Sequence, residues 1–374
     1  MSEPTTPTPS ADPASARERS RTRSILFGAL RLAIGVALLW VLATTGVLDW
    51  GALTGLLDRW HFTAIAVGLI AVAIAATAWR LCLLLRPRGF ALGIRDSLRL
   101  TLIGTFFNVS MPGSSGGDLV RIYYAAKGNE GRRAEIVTIL LLDRFLGLVA
   151  LLAYPVILAP LYLSLLADSA ALRAVVATSA GLVVALVLAA WVFLGRGAGK
   201  ATVARLLERI PGGALIRRAV STLRSYGSDR RPLWAGLAVS LCAHALGVFG
   251  FLFLARALGA PGLEWVLFVI VPIGLVVNTI PLTPGGLGVG ESAFAVLFGM
   301  AGLSGGPEVL ISWRLVTIFI GLAGLVFYLQ GRKRFVSVQE AAEAARIAEE
   351  DRAGGTAAEA VAGIRPDTPA ASRL

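Results

Sequence analysis

Apolar residues in this chain come in long unbroken blocks, not in the one-in-two or three-in-seven rhythm of half-buried strands and helices. Blocks at 25–47, 63–85, 136–158, 172–194, 233–258 and 309–329 are each apolar on every side. A helix crosses the hydrocarbon core of a bilayer with about 20 such residues. Six full spans are therefore predicted. Between the first two, Trp50, Leu53, Leu56, Leu57 and Trp60 share one helical face, which predicts a short helix lying in the interface over 49–60.

Two further apolar regions are interrupted. Region 98–124 reads FFNVSMPGSSGGDLVR from Phe106 to Arg121, and region 265–303 reads VVNTIPLTPGGLGVGE from Val276 to Glu291. Proline removes a backbone donor and glycine favours helix ends. Irregular backbone at membrane depth survives only where protein or a wet cavity covers it. Each region is therefore predicted to be a helix–break–helix hairpin of re-entrant type. Asn108 precedes Pro112-Gly113 and then Gly116-Gly117-Asp118, while Asn278 precedes Pro284-Gly285-Gly286, Gly288 and Glu291. The two hairpins enter from opposite sides if the spans alternate, which is the pattern of an inverted repeat. The predicted fold is an all-α polytopic membrane protein with about six full spans and two broken hairpins.

Charge then sets the orientation. The chain carries a formal charge of +12 with only 16% charged residues. Its mean hydropathy is +0.74. Arg17, Arg19, Arg21 and Arg23 precede the first span. Arg86, Arg88, Arg95, Arg99, Lys127, Arg132 and Arg133 flank the first hairpin. Segment 196–231 holds nine basic residues against Glu208 and Asp229, and Arg332, Lys333 and Arg334 follow the last span. With alternating spans, all of these fall on one side, so both termini are predicted to be cytoplasmic in a plasma or inner membrane. The same pattern accounts for the basic charge without nucleic acid. Residues 1–24 read as a cytoplasmic tail and not a cleaved leader, 25–331 as the membrane domain, and 332–374 as a second, largely disordered tail. Within the membrane domain, 200–226 reads as an amphipathic cytoplasmic segment whose stripe of Leu215, Ile216, Ala219, Val220 and Leu223 suits an anionic lipid surface, or whose bases serve only to fix the topology.

The candidate chemistry lies in ionisable residues at membrane depth, which are costly there and so point to function or to pairing. They are Asp118, Arg121, Asp143, Arg144, Glu291 and Arg314, three acids and three bases. Asp118, Arg121 and Glu291 follow glycine-rich breaks, where free amides and a nearby arginine suit an anion. Asn108 and Asn278 stand at the mouths of the breaks, to donate to a ligand or to cap freed backbone. The expected substrate-binding set is Asn108, Gly116, Gly117, Asp118, Arg121, Asp143, Arg144, Asn278, Pro284, Gly285, Gly286, Glu291 and Arg314. Backbone at Gly116-Gly117 and Gly285-Gly286 would hold a phosphate with Arg121 or Arg314. Arg80 beside Trp79 reads as an anchor snorkelling to the interface. His244 reads as a packed residue. Cys82 and Cys242 lie in apolar blocks without metal spacing. No catalytic triad or nucleotide loop is present, so neither a cofactor nor a catalytic residue is expected.

Asn108 with Pro112 through Arg121, Leu142-Asp143-Arg144, Asn278 through Glu291 with its TPGGLGVGE run, and Trp313-Arg314 together resemble the transmembrane region of lysylphosphatidylglycerol synthases. The resemblance covers about residues 26–330. In the bifunctional members of that family a soluble domain transfers an aminoacyl group to phosphatidylglycerol, and the membrane domain moves the product lipid. Segment 332–374 does not accommodate such a soluble domain, so the resemblance implies the lipid-translocating half. A flippase-like protein for a phospholipid, an aminoacylated lipid or a lipid-linked sugar is the expected function. The alternative is a membrane glycosyltransferase or its accessory factor, acting on lipid-linked sugars. A homo-oligomer or an enzyme partner is compatible with either.

Overall fold

The computed structural model describes residues 51–90, 92–110, 116–126, 130–194, 221–223, 225–226, 229–260, 266–280, 283 and 286–331, together with Ala37, Trp40 and Thr44. All but those three residues of the predicted first span, both tails, most of 200–226, and Pro112, Pro284 and Gly285 lie outside them. Among the described residues the structure is helical, with no strand. By contact the chain divides at Val326/Phe327.

The long helices form where the apolar blocks predict them. These are α1 (Trp60–Leu85), α4 (Arg133–Leu158), α5 (Ala170–Leu194), α6 (Arg231–Ala257) and α9 (Gly306–Gly331). All five are long and apolar enough to cross a membrane. This is a multi-pass, all-α membrane protein. The hairpins supply α2 (Ile94–Ser110) with α3 (Gly116–Ala126), and α7 (Leu267–Asn278) with α8 (Val289–Met300). At 1.5 Å per residue, the 11 residues of α3 and the 12 each of α7 and α8 extend about 16–18 Å, short of the ~30 Å hydrocarbon core. These arms are half-helices.

Of the expected interface helix over 49–60, the described residues 51–60 do not form a single helix. A 3₁₀ turn (Gly51–Thr54) and one helical turn (Gly55–Asp58) stop at Arg59, and α1 then begins. The cause is tertiary: Arg59 Nη1 donates to Ala257 O at 2.9 Å, capping the end of α6.

The order of elements repeats. Ile94 and Leu267, Gly116 and Val289, and Arg133 and Gly306, the starts of α2/α7, α3/α8 and α4/α9, each stand 173 residues apart. The leading helices α1 and α6 correspond and pack antiparallel, with Gly250 against Ile70 and Gly236 beside Arg80 and Leu84. The two copies are thus inverted. A Cβ on Gly250 would lie 2.7 Å from Ile70 Cγ1, so small residues let this seam close. Each copy keeps its own core. One gathers Leu81, Leu84, Ile136, Ile139 and Leu142, and the other gathers Phe251, Phe268, Phe294, Phe298 and Val309. Ala66, Ile70, Leu254 and Val316 join across the seam.

Candidate functional site

In the first hairpin, α2 and α3 approach backbone to backbone. A Cβ on Gly117 would lie 1.9 Å from Gly104 O, and one on Gly104 would lie 2.6 Å from Arg121 Cδ. Asn108 Oδ1 accepts the Gly117 N–H at 3.0 Å, satisfying a free donor of the α3 N-terminus. Asp118, third in α3, takes an ion pair from Arg144 on α4. Arg121, one turn on, places Nη1 3.8 Å from Asp118 Oδ1 and Nη2 3.9 Å from Asp143 Oδ2. Both distances are too long for hydrogen bonds.

Asp143 is fully buried and held elsewhere. Arg80 gives it two bonds, from Nε at 2.7 Å and from Nη2 at 3.0 Å. Arg80 Nη1 also donates to Ser240 Oγ on α6 at 2.7 Å, and the Ser240 hydroxyl donates in turn to Gly236 O. Arg80 is 5% exposed, so it is not a snorkelling anchor. Its place five residues inside the end of α1 suits either reading. A buried carboxylate one bundle layer away decides for burial. Sequence reasoning also passed over Ser240. His244, as expected, is packed, with Nε2 3.0 Å from Gly147 O.

The second hairpin rebuilds the same parts. Gly288 caps α8, and its N–H donates to Glu291 Oε2 at 2.7 Å. Glu291 Oε1 accepts from Arg314 Nε at 2.7 Å. Arg314 Nη2 donates to Asn278 Oδ1 at 2.6 Å and to Gly286 O at 3.1 Å. Gly286 and Gly288 have φ of +71° and +78°, a region that glycine enters without strain. A Cβ on Gly290 would lie 2.3 Å from Asn278 Oδ1, as one on Gly117 would lie 2.6 Å from Asn108 Oδ1.

The correspondence extends to the residues. Gly117/Gly290 and Asp118/Glu291 are pairs 173 apart, and Asn108/Asn278 and Arg144/Arg314 are pairs 170 apart. In each half an asparagine lies against the second residue of a half-helix. The third residue is an acid, and the following long helix supplies its arginine. The halves differ in closure. Glu291 is 0% exposed and Arg314 is locked, whereas Asp118 and Arg144 are 32% and 48% exposed.

Of the expected site residues, the first hairpin gathers Asn108, Gly117, Asp118, Arg121, Asp143 and Arg144. The second gathers Asn278, Gly286, Glu291 and Arg314. Gly116 opens α3. Gly321 packs on Phe106 and Gly324 on Leu102, so α2 and α9 run antiparallel and α2 ends pointing along α9 toward Arg314. The balance of charge expected from the sequence does not hold locally. Among the described residues, and with Arg80 included, three guanidinium groups face two carboxylates around the first hairpin, against one of each at the second.

A family model described as Lysylphosphatidylglycerol synthase TM region matches residues 28–324. The chain belongs to that family. The match takes in both hairpins and both charge clusters, so these are parts of the family's transmembrane region in this member. No curated protein and no solved structure matches the chain.

Proposed function

We propose that this family member is a lipid translocase that moves an anionic or modified lipid between leaflets. Family membership supports the coarser statement, a membrane protein related to lipid modification or translocation. The observation that supports the finer one is the pair of inverted hairpins, each with ionic side chains paired among apolar helices beside its break. A headgroup crossing the bilayer needs polar partners within it, and inverted half-helix pairs are a general way to provide them near the midplane. Acyl chains stay in lipid while the headgroup passes along the charged interior. The two halves, each with its own core, rock about their glycine-lined seam. The proposed setting is the plasma or inner membrane, with both termini in the cytoplasm.

The test uses purified full-length protein in phosphatidylcholine vesicles with a trace of fluorescent phosphatidylglycerol. Dithionite quenches only the outer leaflet. Faster loss of the protected half than in protein-free vesicles supports translocation. Equal loss, repeated with an aminoacylated and a lipid-linked sugar probe, rejects it.

A further inference from the structure

The Arg121 guanidinium is buried, 5% exposed, yet its Nε and Nη2 make no hydrogen bond. These two groups form one edge of the guanidinium. It is the edge that Arg80 turns to Asp143, giving both carboxylate oxygens a bond. Such an edge matches two oxygens of a carboxylate or phosphate. A buried charged donor left unbonded is costly and needs an explanation. The local carboxylates do not supply one, because Asp143 is taken by Arg80 and Asp118 by Arg144. Among the described residues, Arg121 is thus the surplus cation of a cluster with three arginines and two aspartates. At the second hairpin, by contrast, Arg314 has Glu291, Asn278 and Gly286 as acceptors.

We propose that the buried, unbonded edge of Arg121 binds the phosphate of a lipid headgroup, and that the first hairpin, not the second, is where the headgroup is held. The proposal deepens the translocase reading and rests on it for the lipid. It also revises the sequence expectation for Gly117. That amide is spent on Asn108, so the guanidinium and not this backbone group takes the phosphate. The half-exposed Asp118–Arg144 pair borders the site, and its parting opens the way to Arg121. Arg144, once free, adds a second cation to the phosphate.

The experiment measures binding to purified full-length protein in a neutral sugar detergent, by tryptophan fluorescence. The probes are dioctanoyl phosphatidylglycerol, dioctanoylglycerol and glycerol phosphate. The wild type is expected to bind the phospholipid at least about tenfold more tightly than either of the others. Arg121→Gln is expected to weaken phospholipid binding about tenfold or more, and Arg121→Lys, which keeps charge but loses the fork, to fall between. Wild-type affinity in both variants overturns the proposal. So does equal binding of dioctanoylglycerol by the wild type, a comparison that stands even if a variant misfolds. Glycerol phosphate binding as tightly as the lipid overturns the lipid assignment. Intact phospholipid binding with no movement in the vesicle assay removes the translocase reading and leaves the site in place.

Discussion

Asp118 and Glu291 are the third residues of corresponding half-helices, and each pairs with an arginine from the long helix that follows its hairpin. Their surroundings differ. Glu291 is sealed, with both oxygens bonded, while a third of Asp118 is open. The second hairpin is therefore built as a staple, and the first retains ionic groups that can exchange partners.

Glu291→Gln should destabilise the fold. Arg314 would lose its carboxylate and keep, among the described residues, the neutral acceptors Asn278 and Gly286, at a cost of about 3–5 kcal/mol. Unfolding in mixed detergent micelles measures it. Asp118→Asn should cost less in the same assay, because its pair is partly exposed. Equal losses would contradict the staple.

Arg80→Met alone should take from Asp143 both of its side-chain hydrogen-bond donors, leaving Arg121 at 3.9 Å as its nearest cation, with a loss of about 3 kcal/mol. The double variant Arg80→Met/Asp143→Leu should recover much of it, since no buried charge of that pair remains. A double variant less stable than the single one would show that the pair contributes more than mutual neutralisation.

Gly117→Ala should open the first hairpin, because its Cβ would lie 1.9 Å from Gly104 O, a backbone atom that cannot step aside. A loss of about 3 kcal/mol or more is expected. Gly181→Ala on α5 meets nothing within 4 Å and should be neutral or slightly stabilising. Thermal denaturation of the two variants gives the contrast.

Tyr226 is buried and donates its hydroxyl to Leu84 O at the end of α1. Burial pushes its phenol up, so the donor proton stays at neutral pH. Tyr226→Phe should cost about 1 kcal/mol. The wild type should lose this contribution as pH rises beyond about 10, the unfolded phenol's range, and Tyr226→Phe should not. Stability measured against pH on the two proteins checks the sign.

Cysteines introduced at Ser15 and Ala360 should resist an impermeant thiol reagent in intact cells and react after lysis. The expectation rests on the basic residues around the first hairpin and after the last span, which the positive-inside pattern assigns to the cytoplasmic side. Labelling of either site in intact cells would reverse the orientation.

The sequence by itself determined where the chain crosses the membrane and where it breaks. Apolar blocks are a local property, so helices α1, α4, α5, α6 and α9 begin and end within a few residues of the predicted spans. Proline and glycine interrupt backbone pairing locally as well, so both hairpins were legible. The likeness of Asn108–Asp118 to Asn278–Glu291 showed that they are related.

Only the tertiary structure decided which charges are partners and which remain open. Asp143 and Arg144 are neighbours in sequence, but adjacent residues on a helix point in different directions. One reaches Arg80 and the other Asp118, each on another helix. Arg80 could have extended to the interface, and Arg121 and Arg314 are equally arginines in apolar surroundings. Their states follow from which helix faces meet and how many carboxylates each face brings, and neither is written in the run of residues around them.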